Sequence, residues 1–196
     1  NLKSLAKINE NKLLKYWEGL GYYSRVRNLK KTSQILLKKF KGKLPSTIDE
    51  LKSLPGIGDY TSKAIMAIAF DKKANVVDGN IERIFSRLYK IEEPLEHSKK
   101  KIRTLSNKYL PCNRNGDYAQ SLMDLGSLVC IPRAPRCKSC PVIFTCKLGI
   151  PTTKFRNSSY LIHVWVVLVK IKFQKLNLLQ LTLSPVGVFF VYMSYM

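Results

Sequence analysis

Leu54-Pro55-Gly56-Ile57-Gly58 interrupts a helical pattern in a specific way. Apolar spacing predicts a short helix around Asp49 to Leu54 and a second beginning near Tyr60, so both glycines fall in the turn. Glycine lets the backbone turn tightly and leaves amide N–H groups exposed at a helix N-terminus, where the macrodipole attracts an anion. The pattern is a helix-hairpin-helix signature. A bare Gly-x-Gly reads as an ordinary interhelical turn. Here the Leu-Pro lead-in, the flanking helices and a strongly basic background favour a phosphate oxygen as the ligand. A contact of that kind grips a nucleic-acid backbone without reading its sequence.

The chain around the turn is basic and helical. Its 196 residues hold 34 Lys and Arg against 13 Asp and Glu, a formal charge of +21, with 45% hydrophobic residues. That composition excludes disorder and collagen-like repeats, and the charge calls for an acidic partner, nucleic acid first. Apolar residues recur at helical spacing in Leu13, Leu14, Trp17 and Leu20, and in Val26, Leu29, Ile35, Leu36 and Phe40. Breaks are expected at Gly19 and Gly21, Gly42 to Pro45, Pro55 to Gly58, Asp78 to Asn80, Pro94, and Pro111 to Gly116, giving about seven helices.

Residues 151–196 follow different rules: they carry five basic and no acidic residues, whereas residues 1–150 carry 29 basic and all 13 acidic ones. Alternation through Leu179, Gln180, Leu181, Thr182, Leu183 and Ser184 predicts strands. The uncharged run 176–196 is long enough for a membrane span, but Asn177, Gln180, Ser184, Pro185 and Gly187 argue against one. No charged leader followed by an apolar stretch opens the sequence, so no signal peptide is expected.

Four of the five cysteines form Cys130-x6-Cys137-x2-Cys140-x5-Cys146, close enough to converge on one centre. Four thiolates suit zinc or an iron–sulfur cluster, and the count does not separate them. Disulfides are the alternative, disfavoured by the reducing, intracellular setting that this cysteine usage suggests. Arg133, Arg136, Lys138 and Lys147 make the loops a basic surface suited to phosphates. Cys112 lies too far upstream, and is expected to be a buried small hydrophobe.

Two further segments each admit two readings. Asp78, in Val76-Val77-Asp78-Gly79-Asn80, stands where a helix begins, and capping that helix is its ordinary role. A carboxylate there, beside Gly79, can also stabilise positive charge developing on a sugar. Gly19-Leu20-Gly21-Tyr22-Tyr23-Ser24-Arg25 joins adjacent aromatics to a cation, a combination able to push a ring between stacked bases. Half-buried packing is the ordinary reading of such tyrosines.

Taken in order, these segments resemble the helix-hairpin-helix DNA glycosylases with an iron–sulfur cluster, and within them the MutY-type adenine DNA glycosylases. The likeness covers about Leu13 to Pro151. It rests on Trp17 to Arg25, Leu54 to Thr61, Val77-Asp78-Gly79-Asn80, Met123-Asp124-Leu125-Gly126 and the four cysteines. It implies an all-α, two-lobed core: a helical lobe with the hairpin over 1–80, a lobe ending in the cluster loop over 81–150, and a linker with a truncated β-like tail over 151–196. It implies removal of adenine mispaired with 8-oxoguanine or guanine, by hydrolysis, in base excision repair. Asp78 would be the central catalytic carboxylate, with Tyr60 and Asn80 beside it. Tyr22 would wedge beside the oxidised guanine, and Arg25, Pro55, Gly56, Ile57, Gly58 and Thr61 would contact DNA. Cys130, Cys137, Cys140 and Cys146 would bind a four-iron, four-sulfur cluster, with zinc as the alternative. The implied partner is double-stranded DNA containing a mismatch, bound by a monomer away from membranes, in the nucleoid of a bacterium or the nucleus or mitochondrion of a eukaryote.

The sequence departs from that pattern at both ends. The family's general-acid glutamate precedes the matched region, Glu10 and Glu18 do not fill its place, and the polypeptide as given is expected to be a defective catalyst. The tail is too short for the Nudix-like domain the family usually adds. Endonuclease III-type relatives place a Schiff-base lysine where Tyr60 stands, so a combined glycosylase and lyase is the nearest rival. A non-catalytic, metal-stapled DNA-binding module is the rival from another class.

Overall fold

The computed structural model describes residues 1–148; the strand-like tail expected over 151–196 lies outside them. All the regular elements described are helical, as expected, and no described helix is long and apolar enough to cross a membrane. The chain divides into two compact units between Phe70 and Asp71, ahead of the boundary expected after residue 80, so the Asp78 to Asn80 segment belongs to the second unit.

The first unit contains α1 (Leu2–Lys7), α2 (Glu10–Tyr16), α3 (Tyr23–Lys39), α4 (Ile48–Lys52) and α5 (Asp59–Phe70). Helix α3 is its spine. It buries Val26, Leu29 and Leu36 on one stripe at helical spacing and packs on α1 and α2, while its lysines stay outside. The break between α1 and α2 was not among those expected. It comes from Asn9, whose side chain accepts the N–H of Asn11 and starts a new helix with Glu10 in its first turn. Thr47 starts α4 as a capping box: Glu50 N–H donates to Thr47 Oγ1, and the hydroxyl donates to Glu50 Oε2.

The second unit holds α6 (Gly79–Tyr89), α7 (Leu95–Asn107) and α8 (Asn115–Asp124), then a π-helical turn over Leu125–Val129 and the cysteine loop. Its core is Ile81, Ile84, Phe85 and Leu88 of α6, Ile102 of α7, and Tyr118, Leu122 and Leu125. Asp71 secures the start of α8 from a distance, its carboxylate accepting the N–H groups of Arg114 and Gly116, both at 3.1 Å. Cys112 corrects an expectation: it is exposed, not buried, because the bend from Pro111 to Arg114 buries Pro111 and turns its next residues to solvent.

Candidate functional site

The hairpin turn is built almost entirely from neighbours in sequence. Leu51, Leu54 and Ile57 are buried and anchor both sides of the turn, and Ile57 N–H donates to the Leu54 carbonyl at 3.1 Å. Gly56 has φ +79°, and a Cβ there would meet the Asn28 side chain at 3.0 Å. Thr32 Oγ1 of α3 donates to the Pro55 carbonyl at 3.0 Å and pins the turn to the spine. Gly58 is exposed with open space where its side chain would be, and among the described residues the amides of Gly56 and Gly58 meet no hydrogen-bond acceptor. Unpaired amides at the head of a 12-residue helix are the arrangement an anion needs. The Thr61 side chain, by contrast, is buried at 5% exposure, and Tyr60 is half-buried.

Asp59 sits beside these amides and was not singled out from the sequence. It accepts from Lys63 Nζ at 2.7 Å and Lys52 Nζ at 3.5 Å, and the Lys63 hydrogen bond holds its carboxyl below the usual carboxylate range. Two cations thus offset one anion next to the turn.

The aromatic loop is also in the first unit. Trp17 Nε1 donates to the Gly21 carbonyl at 3.0 Å, and the Arg25 guanidinium lies 5.5 Å over the Trp17 ring. That brace sets Tyr22 in the left-handed region at φ 45° as the cap of α3, with its ring 76% exposed. The Arg25 guanidinium thus faces the loop's own tryptophan, while Tyr22 is exposed to solvent.

In the second unit Asp78 performs its ordinary role and more. It caps α6 through Oδ1, which accepts Ile81 N–H at 2.8 Å, and Oδ2 accepts from Asn80 Nδ2 at 3.1 Å. Asn80 Oδ1 accepts from Arg83 Nη2 at 2.7 Å, and the same nitrogen donates to the Gly126 carbonyl at 2.8 Å. Arg83 Nε continues the chain of bonds to the Cys130 carbonyl at 2.8 Å. Gly126 is packed so closely that a Cβ there would lie 2.6 Å from that of Asn80. One ordered path of hydrogen bonds thus joins the Asp78 carboxylate to the first of the four cysteines.

Those four cysteines line one cavity of about 260 Å³, walled otherwise by Arg87 and by apolar side chains including Ile84, Leu88, Val142 and Ile143. Burial pushes the Cys140 thiol above its ordinary range, and the other three thiols act in the same direction. Among the described residues no three His, Cys, Asp or Glu side chains gather around a point that would hold a single ion. The donor set, four thiols on one cavity, fits a thiolate-ligated metal centre, zinc or an iron–sulfur cluster. The four cysteines share one cavity, while nothing in the sequence pointed to Arg83 and Arg87, the α6 side chains that carry their loop.

Known proteins resemble the chain in sequence and in fold. Residues 1–112 match the family model described as HhH-GPD superfamily base excision DNA repair protein. The chain is 36% identical over 147 residues to an adenine DNA glycosylase of Buchnera aphidicola, covering 75% of this chain and 42% of that protein. It is 37% identical over 150 residues to one of Schizosaccharomyces pombe, covering 74% and 32%, and 36% identical over 149 residues to one of Homo sapiens, covering 74% and 27%. It therefore spans less than half the length of these relatives. Among solved structures it resembles a thermostable thymine-DNA glycosylase with TM-score 0.66 and 27% identity, and an endonuclease III bound non-covalently to DNA with TM-score 0.59 and 25% identity. Each alignment covers 76% of this chain and 69% of the other.

Proposed function

We infer the function from one premise: the chain belongs to the HhH-GPD superfamily of base excision DNA repair proteins. Within it, the chain carries the core of a monofunctional glycosylase that hydrolyses the N-glycosidic bond of adenine mispaired with 8-oxoguanine or guanine. The observation that carries this reading is the Asp78 carboxylate, presented at the head of α6 and oriented by Asn80. When the bond between adenine and C1′ breaks, its electron pair leaves with the base and positive charge builds on the sugar. A fixed carboxylate stabilises that charge until water adds. Adenine must first leave the stack. The open amides of Gly56 and Gly58 are suited to hold a backbone phosphate, and Tyr22 to stack where the helix opens.

Tyr60 supports hydrolysis over lyase chemistry, because a phenol cannot form the Schiff base that a lysine forms. Four thiols lining one cavity support a thiolate-held centre, and the iron–sulfur cluster that the family resemblance implies is its proposed occupant, with zinc as the alternative. Bound there by Cys130, Cys137, Cys140 and Cys146, the cluster would organise the basic loop rather than touch the reacting bond. Mismatched double-stranded DNA is the proposed partner, met by a monomer.

Single-turnover incubation with a duplex carrying adenine opposite 8-oxoguanine tests the reading. Adenine release is expected to depend on Asp78, with Asp78→Asn slower by about 10²- to 10³-fold. Borohydride with abasic DNA is expected to trap no covalent adduct. A trapped adduct, or release indifferent to Asp78→Asn, sinks the assignment. Release from this chain is expected to be slow, and tight DNA binding whose residual release is unchanged by Asp78→Asn favours a cluster-stapled binding module, in which Asp78 serves α6 alone.

A further inference from the structure

Helix α6 holds the cysteine loop at both of its ends. Arg87 Nη1 donates to the Ile131 carbonyl at 2.7 Å, lies 3.4 Å from the Cys130 carbonyl oxygen, and reaches Cys130 Sγ at 3.3 Å. Its Nη2 donates to the Pro132 carbonyl at 2.8 Å. At the other end, Cys146 Sγ donates to the Arg87 carbonyl at 3.5 Å and Lys147 N–H to the Leu88 carbonyl at 3.0 Å. The first and last cysteines therefore hang from two adjacent residues of α6.

The charge of Arg87 is placed unusually. It is half-buried on the wall of the cysteine cavity, and its hydrogen-bond partners are three carbonyl oxygens and a sulfur, with no carboxylate within ion-pair distance among the described residues. A half-buried guanidinium without a counter-ion calls for an anion nearby. Four thiolates around an iron–sulfur core leave the loaded centre negative, and a charge-assisted N–H···S bond is stronger than the thiol contact it replaces.

We propose that Arg87 is a positioning residue for the cysteine centre: it fixes the Cys130 branch of the loop and donates a hydrogen bond to the Cys130 thiolate that raises the centre's reduction potential. The inference rests on reading the four cysteines as an iron–sulfur site. Hydrogen bonds to the sulfurs are among the levers that set such potentials, and partners beyond the ligands commonly control how firmly a metal is held.

The test uses the full chain purified without oxygen, with iron and sulfide per chain, visible absorption and midpoint potential measured on wild type, Arg87→Met and Arg87→Lys. Wild type is expected to be brown. Arg87→Met is expected to hold its cluster about 10- to 100-fold less tightly against a chelator. Arg87→Lys keeps the charge and the stem but cannot span four acceptors, so it should load, keep wild-type helical circular dichroism and show a lower midpoint potential. That last result distinguishes a sulfur hydrogen bond from mere support, and it stands even if Arg87→Met fails to fold. A brown wild type whose Arg87→Lys form matches it in iron content and potential overturns the role of Arg87 and leaves the cluster reading intact. A wild type that binds no iron overturns both.

Discussion

The hairpin turn and the cysteine loop are both irregular segments that must keep one shape, and they do so by opposite means. The hairpin is fixed by backbone conformation and buried aliphatic groups within a few residues, with a single hydroxyl from α3 closing it. The cysteine loop has little regular structure of its own beyond two short 3₁₀ turns, and is carried by guanidinium donors reaching 43 to 47 residues along the chain. The first design leaves its amides unused and open to a ligand. The second uses up the loop's carbonyls and leaves its sulfurs facing a cavity. On the proposed roles, a turn that grips a phosphate and a loop that encloses a metal group differ in what they must leave unsatisfied.

The sharpest way to break this contrast is to disturb the packing on which the long-range path depends. Gly126→Ala would force a methyl to 2.6 Å from Asn80 Cβ, inside a buried turn where backbone cannot easily give way. Overpacking of that kind typically costs about 1–3 kcal/mol, and urea denaturation should show it. The displaced Asn80 should also release Asp78 Oδ2, so adenine release should fall further than stability accounts for. Gly126→Ala with wild-type release would mean that Asn80 does not orient the carboxylate.

Gly56→Ala is the matching change in the hairpin, with a smaller expected effect. Its φ of +79° costs a side chain about 1–2 kcal/mol, and the 3.0 Å approach to Asn28 is to a side chain that can move. Because the turn is local, the damage should stay local: DNA affinity and stability fall together, while iron content in the cysteine loop is unchanged. Iron loss in Gly56→Ala would show that the two segments are not held independently.

The same contrast explains what could be read from the chain in advance. The turn residues, the helix breaks other than the one at Asn9, and the four cysteines were legible because each depends on spacing within a few residues, which is what periodicity and turn chemistry report. Arg83 and Arg87 were not, because their partners are carbonyls of the cysteine loop, and nothing in a sequence marks which carbonyl an arginine will reach. Their four-residue spacing on α6 put both on one face, a hint that only the packing turned into a contact. For Asp78 the structure shows the capping reading, one carboxylate oxygen accepting Ile81 N–H while the other is held by Asn80, and the proposed role on a sugar is compatible with it. Arg25, expected to contact DNA, lies over the Trp17 ring, a contact between loop neighbours that the sequence did not announce.

Asp59 gives the smallest effect and the most pointed test of the hairpin's design. Its carboxyl titrates below the ordinary value near ~4 because Lys63 and Lys52 favour the anion. A lowered native pKa means the unfolded chain takes up protons first as pH falls, so the ion pairs stabilise above about pH 4 and that contribution is lost on further acidification. At 48% exposure the pairs are worth only about 0.2–1 kcal/mol. Asp59→Asn should therefore be slightly less stable than wild type at pH 7, equal to it at strongly acid pH, and equal in molar salt, where charges are screened within ~3 Å. DNA affinity should move the other way. Removing a negative charge beside the open Gly58 amide strengthens the pull on a phosphate and frees two lysines, so Asp59→Asn should bind duplex more tightly and with a steeper salt dependence. If instead affinity falls with stability, the amides of the turn are not where the phosphate sits, and the hairpin is only a well-packed corner between two helices.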